Sequence, residues 1–85
     1  MTPVSRLNLT ATTDRASEVL RLEWDYRNAP ECPNQQRDGL PKSALDAEIA
    51  ALKAGGWALE SQCANPGREF LIETFTFTRS SETGL

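Results

Sequence analysis

No histidine occurs among the 85 residues, so the commonest general base and the commonest metal ligand are both missing. Nucleophilic catalysis would then need a serine or cysteine activated by Asp, Glu or Lys, and no local spacing supplies such a pair. Two carboxylates, Glu23 and Asp25, sit two residues apart and so share one face of an extended strand. That spacing suits acid–base work or a hard cation. Arg21 and Arg27 flank them on the same face, which makes a solvated ladder of alternating charge the simpler reading. Cys32 and Cys63 form neither a CxxC pair nor a set with histidine, so zinc and dithiol redox chemistry have no ligands. We expect both to be thiols, Cys63 as a small hydrophobe inside a strand and Cys32 more exposed in a Pro-flanked loop. The run Asn65-Pro66-Gly67-Arg68 offers an amide, backbone N–H groups and a guanidinium that could touch an anion, but it reads first as a hairpin turn. Gly55-Gly56 follows a helical stretch instead of preceding one, so it is no phosphate cradle. Neither a catalytic constellation, nor a metal, nor a cofactor is expected.

Charge and composition bound the partners. Twelve acidic residues face nine basic ones, a formal net charge of −3, and the basic residues are scattered singly. A nucleic-acid binder carries a basic footprint, because phosphate contacts supply much of its affinity, so this balance argues against one. The acidic excess is also too small to suggest nucleic-acid mimicry. A 39% hydrophobic share with no long apolar run argues against a membrane span, and MTPVSRLNLT lacks an apolar signal-peptide centre. The expectation is one soluble cytoplasmic domain over residues 1–79, with 80–85 as a disordered polar tail.

The elements that must position these groups follow from periodicity. Residues 6–12 alternate, with Leu7, Leu9 and Ala11 on one side, and predict a half-buried strand. Residues 18–27 predict a second, with Leu20, Leu22, Trp24 and Tyr26 on one face and Arg21, Glu23, Asp25 and Arg27 on the other. Residues 28–42, with three prolines, predict a long loop that holds Arg37. Ser43 then stands as helix cap, with Asp46 in capping-box position. Residues 44–54 predict an Ala-rich helix with the apolar stripe Leu45, Ile49 and Leu52, ended by Gly55-Gly56. Residues 57–63 predict a strand with Trp57, Leu59, Ser61 and Cys63 on one face, and a turn at 64–67 leads to a last strand over 68–79. The order ββαββ predicts an α+β fold, an antiparallel sheet of about four strands with one helix on one face.

The last strand poses a problem of phase. Phe70 and Ile72 have one parity; Leu71, Phe75 and Phe77 have the other. Either a bulge near Glu73–Thr74 resets the alternation, or both faces carry apolar groups. A bulge is the favoured reading, because without one Glu73 would face inward, where an unpaired carboxylate is costly. In the unbulged case Phe70 and Ile72 form an exposed patch that marks an interaction surface.

Trp24 and Tyr26, Ile49 and Leu52, Gly56-Trp57, Leu59, and Phe77 with Arg79 resemble a small bacterial and phage domain family of unknown function, whose signature is a helix, a Gly-Trp pair and a strand. The resemblance runs from residue 18 to residue 79 and implies a β-α-β-β core with no agreed activity. This chain departs from it by an N-terminal strand, a longer Pro-rich loop and Ala58 where an acidic residue is usual. Independently of any family, Gly56 lets the chain reverse and Trp57 lays a ring beneath the helix; with Trp24 these are read as structural anchors.

The leading expectation is a non-enzymatic protein–protein interaction module, regulatory or inhibitory and acting as a homodimer. Its interaction candidates are Phe70, Ile72, Glu23, Asp25, Arg27 and Arg37. A narrower form is a phage-encoded, anti-CRISPR-type inhibitor of a host defence complex. The rival from another class is a small-ligand binder using residues 28–42 as a lid over Trp24, Tyr26 and Glu23.

Overall fold

The computed structural model describes residues 4–30 and 32–80. The expected disordered tail lies outside them except for Ser80, which closes the last strand opposite Val4. The element order is β1 (Val4–Asp14), β2 (Val19–Arg27), β3 (Gln35–Leu40), α1 (Ser43–Ala54), β4 (Ala58–Pro66) and β5 (Phe70–Ser80). It is an α+β fold with one helix and an antiparallel sheet of five strands in the order β3-β2-β1-β5-β4. The extra strand corrects the reading of 28–42 as a loop. Gln35–Leu40 pairs with β2 from the outside, where exposed Gln, Arg and Asp side chains need no core.

Alternation in β1, β2 and β5 builds the core. The unbroken register stacks Tyr26, Leu7 and Phe77 in one cross-strand row, and Trp24, Leu9 and Phe75 in the next. Leu7, Leu9, Ala11, Leu20, Leu22, Trp24, Phe75 and Phe77 are buried on this face, joined by Leu52 of the helix and by Trp57. Leu45 and Ile49 pack against the cluster half-buried, as their spacing requires.

Both ends of α1 correct or sharpen the reading. Ser43 is the first helical residue, not the cap; Lys42 holds the cap position with helical φ and ψ, and no side chain caps the end. The Ala44 N–H instead donates to the Pro41 carbonyl at 2.9 Å. At the other end the Trp57 N–H donates to the Leu52 carbonyl (3.0 Å) and the Gly56 N–H to Lys53 (3.1 Å). That crossed pair is a Schellman closure, and it sets Gly56 at φ +94°, a left-handed angle that side chains resist. The closure delivers Trp57, buried, onto Leu52, also buried.

The bulge is in β4, not β5. β1 and β5 pair without interruption from Val4–Ser80 to Asp14–Phe70, whereas the β4–β5 register shifts between Leu59 and Ser61. The shift turns Ser61 and Cys63 to the face away from the helix, where Cys63 is exposed; Cys32 is the more covered thiol. Both are free thiols and Cys63 lies in a strand, as expected, but the expected order of exposure is reversed. The turn after β4 is also displaced. Pro66 still pairs with Leu71, and the Gly67 N–H donates to the Phe70 carbonyl at 2.9 Å. Gly67 is not at positive φ; a Cβ there would stand 2.8 Å from that carbonyl oxygen, so the turn needs glycine for space.

Candidate functional site

The face opposite the helix is open. Its central strip is half-buried threonine and asparagine: Asn8, Thr10 and Thr12 from β1 beside Thr74, Thr76 and Thr78 from β5. The Thr76 hydroxyl donates to Asn8 Oδ1 at 3.1 Å across the two strands. β-Branched polar side chains suit a pleated, wet surface. Against this background Phe70 and Ile72 stand out, 45% and 39% exposed.

Because β5 is unbulged, these two residues project from this open face, and Glu73 takes the helix-side parity, half-buried opposite Ala11 and Ala64. The favoured bulge at Glu73–Thr74 is therefore corrected. Val19 joins the patch. It pairs with Asp14 from one side as Phe70 does from the other, and it is 40% exposed. Thr12, Val19, Arg21, Asp38, Phe70 and Ile72 line a shallow depression of about 500 Å³. Phe70 and Ile72 also wall a second depression, of about 540 Å³, against the Pro66–Glu69 turn. Phe70 and Ile72 thus form a ridge between two hollows. Charges of both signs surround it: Arg21 Nε meets Asp38 Oδ1 at 2.6 Å, and Arg68 and Glu69 lie on the turn. Asp14 Oδ1, between Val19 and Phe70, accepts the Ala16 N–H at 3.0 Å.

Glu23 and Asp25 share the open face further along β2. With Asn8, Thr10, Asn34 and Gln36 they border a polar trough of about 560 Å³. Asn34 bridges the trough: its Nδ2 donates to Asp25 Oδ1 at 3.3 Å and its Oδ1 accepts the Tyr26 N–H at 2.7 Å. Arg27 reaches Asp25 at 3.6 Å, but Arg21 leaves the ladder for Asp38 on β3. Arg37 pairs with Leu22 and lines a hollow with Ala44 and Glu48, on the helix side of the sheet. The structure thus brings Phe70 and Ile72 together and Glu23, Asp25 and Arg27 together, and separates Arg37 from both groups. Among the described residues no group of three Cys, Asp or Glu side chains is placed to hold a metal ion.

The lid expected of residues 28–42 meets its three targets on two different faces of the sheet. Glu23 points to the open face while Trp24 and Tyr26 point to the helix face, so no single segment covers all three. Residues 35–40 are committed to the sheet.

On the helix side Tyr26, Trp57 and Arg79 stack. The Tyr26 and Trp57 ring centroids are 5.8 Å apart at 54°, and the Arg79 guanidinium carbon lies 4.4 Å from the Trp57 ring centroid. Burial pushes the Tyr26 phenol above its ordinary 10.0, the neighbouring Cys32 and Glu48 add to the rise, and Arg79 opposes it. This cluster fastens the helix exit to β2 and β5.

Sequence reasoning missed Val19. Its signal was the same parity argument applied to β2: it has the phase of Arg21 and Glu23, which places it outward. No helix among the described residues is long and apolar enough to cross a membrane. Comparison with family models, with curated proteins and with solved structures finds no match to this chain.

Proposed function

We propose that this chain is a non-enzymatic protein-interaction module whose docking surface is the apolar corner formed by Val19, Phe70 and Ile72. The observation that carries the reading is the exposed Phe70–Ile72 ridge on an unbulged strand, facing away from the only helix described. Each of the three side chains keeps about 40% of its surface in water. At roughly 1.5–3 kcal/mol for a fully buried large apolar side chain, covering the remainder yields about 2–4 kcal/mol in all. That is roughly thirty- to thousandfold in affinity, enough for a small anchor within a polar rim. The partner that fits is a protein surface with an apolar hollow for the ridge and charges of both signs around it.

Affinity capture from an extract of the encoding organism tests this, comparing the native chain with Phe70→Ser/Ile72→Ser and with Glu23→Gln/Asp25→Asn. We expect a stoichiometric partner with the native chain and with the carboxylate variant, reduced at least tenfold with the corner variant. Capture that survives the corner variant, or that depends instead on the carboxylates, overturns the assignment.

A further inference from the structure

β4 is an edge: β5 pairs one side of it, and nothing among the described residues pairs the other. Glu60 to Pro66 are exposed on both faces of the sheet, so the helix leaves room for a neighbouring strand. The opposite edge is defended. β3 carries Arg37 and Asp38, a register irregularity and Gly39 at φ +69°, devices that discourage strand addition. β4 has one charged residue, Glu60, and no lysine or arginine, and proline only at its last position.

We propose that two copies of this chain pair along β4, antiparallel about a twofold axis at Cys63, into one continuous ten-stranded sheet. Antiparallel strands related by a twofold normal to the sheet keep each residue's face, so a residue must sit on the axis. An axis at Gln62 would set the bulged Glu60 inside the ladder, opposite Ala64 of the second copy. An axis at Ala64 would leave only five residues paired before the Gly67 turn. Cys63 gives the longest regular register, Glu60 to Pro66, with the bulge at its end. It opposes Ser61 to Asn65 and Gln62 to Ala64, and puts Glu60 against Pro66, so no like charges meet. This self-complementarity is why the occupant is a second copy. Both helices then lie on one side of the long sheet, and both Phe70–Ile72 corners lie on the other. The pairing uses none of the corner residues, so it stands or falls separately from the docking reading.

Cys63 supplies the readout. Paired Cα atoms in an antiparallel ladder are about 4.5–5.5 Å apart, within the range a disulfide spans. The chain carrying Cys32→Ser is oxidised with diamide, and the covalent dimer is measured on a non-reducing gel. We expect it to dominate. Moving the thiol two places, by Cys63→Ser with Ser61→Cys in the same background, keeps the face and the exposure but separates the two thiols by about 13 Å along the strands. That variant is expected to cross-link at least tenfold less. Gln62→Lys with Ala64→Lys sets lysines opposite each other twice across the pair and is expected to reduce cross-linking at Cys63 at least tenfold, with circular dichroism reporting an intact fold. Absence of cross-linking at Cys63, equal cross-linking from position 61, or indifference of a folded lysine variant overturns the proposal.

Discussion

Gly56 and Gly55 look alike in sequence and differ in what the backbone asks of them. A Cβ on Gly56 would meet only Arg79 Cδ, at 3.7 Å, so space is not the constraint; the φ of +94° is. Gly56→Ala is therefore expected to destabilise the protein by about 1–2 kcal/mol, while Gly55→Ala, at φ −84°, changes it by less than about 0.5 kcal/mol. Urea unfolding followed by Trp fluorescence measures both. Tyr26 gives the alkaline limb of stability. Its phenol is raised above 10.0 in the folded chain, so the folded state holds that proton more tightly than the unfolded state does. The contribution is full below pH 10 and is lost as pH rises through the folded value. Thermal melts between pH 9 and 11 should show native stability falling more steeply than that of Tyr26→Phe, and equal slopes would refute the assignment.

At the scale of elements, the sheet interior sets the largest single effects. Phe77 is fully buried in the row with Leu7 and Leu59, and Phe77→Ala is expected to cost about 3–5 kcal/mol by denaturant titration. Where side chains alternate against a core, as from Leu7 to Ala11 and from Leu20 to Tyr26, the strands were legible in the sequence. β3 was not, because only its last residue, Leu40, packs against the core, and its pairing is held by backbone groups that composition does not report. The bulge was misplaced for a related reason. Parity shows that a conflict exists, but not whether the chain resolves it by inserting a residue or by leaving Phe70 and Ile72 in water. Here Glu60 absorbs a shift in β4, and the conflict in β5 is left standing as the candidate site. The helix stop was legible, because Gly-Gly before a buried Trp has few other uses. The start was not, since backbone carbonyls of Pro41 and Lys42 serve the amides that Ser43 was expected to cap.

For the molecule as a whole, the N-terminal strand is the centre of the sheet. β1 lies between β2 and β5 and contributes Leu7, Leu9 and Ala11, all fully buried. The N-terminal segment is thus the one the core is built on. Removing residues 4–14 is expected to abolish cooperative unfolding rather than trim the fold, as judged by calorimetry. In native-state hydrogen exchange, β1 and β5 amides should be the slowest and β3 amides the fastest, since β3 is exposed from Gln35 to Gly39.

The pairing of β1 with β5 has a consequence for synthesis. The first residues of β5 leave the ribosome 56 positions after their partners, as Phe70 follows Asp14. At ~5–20 residues per second the nascent β1 therefore waits about 3–11 s with one flank unmatched. During that interval Leu7, Leu9 and Ala11 are covered by β2 and, as they emerge, by α1 and Trp57, while the flank that β5 will occupy stays open to other strands.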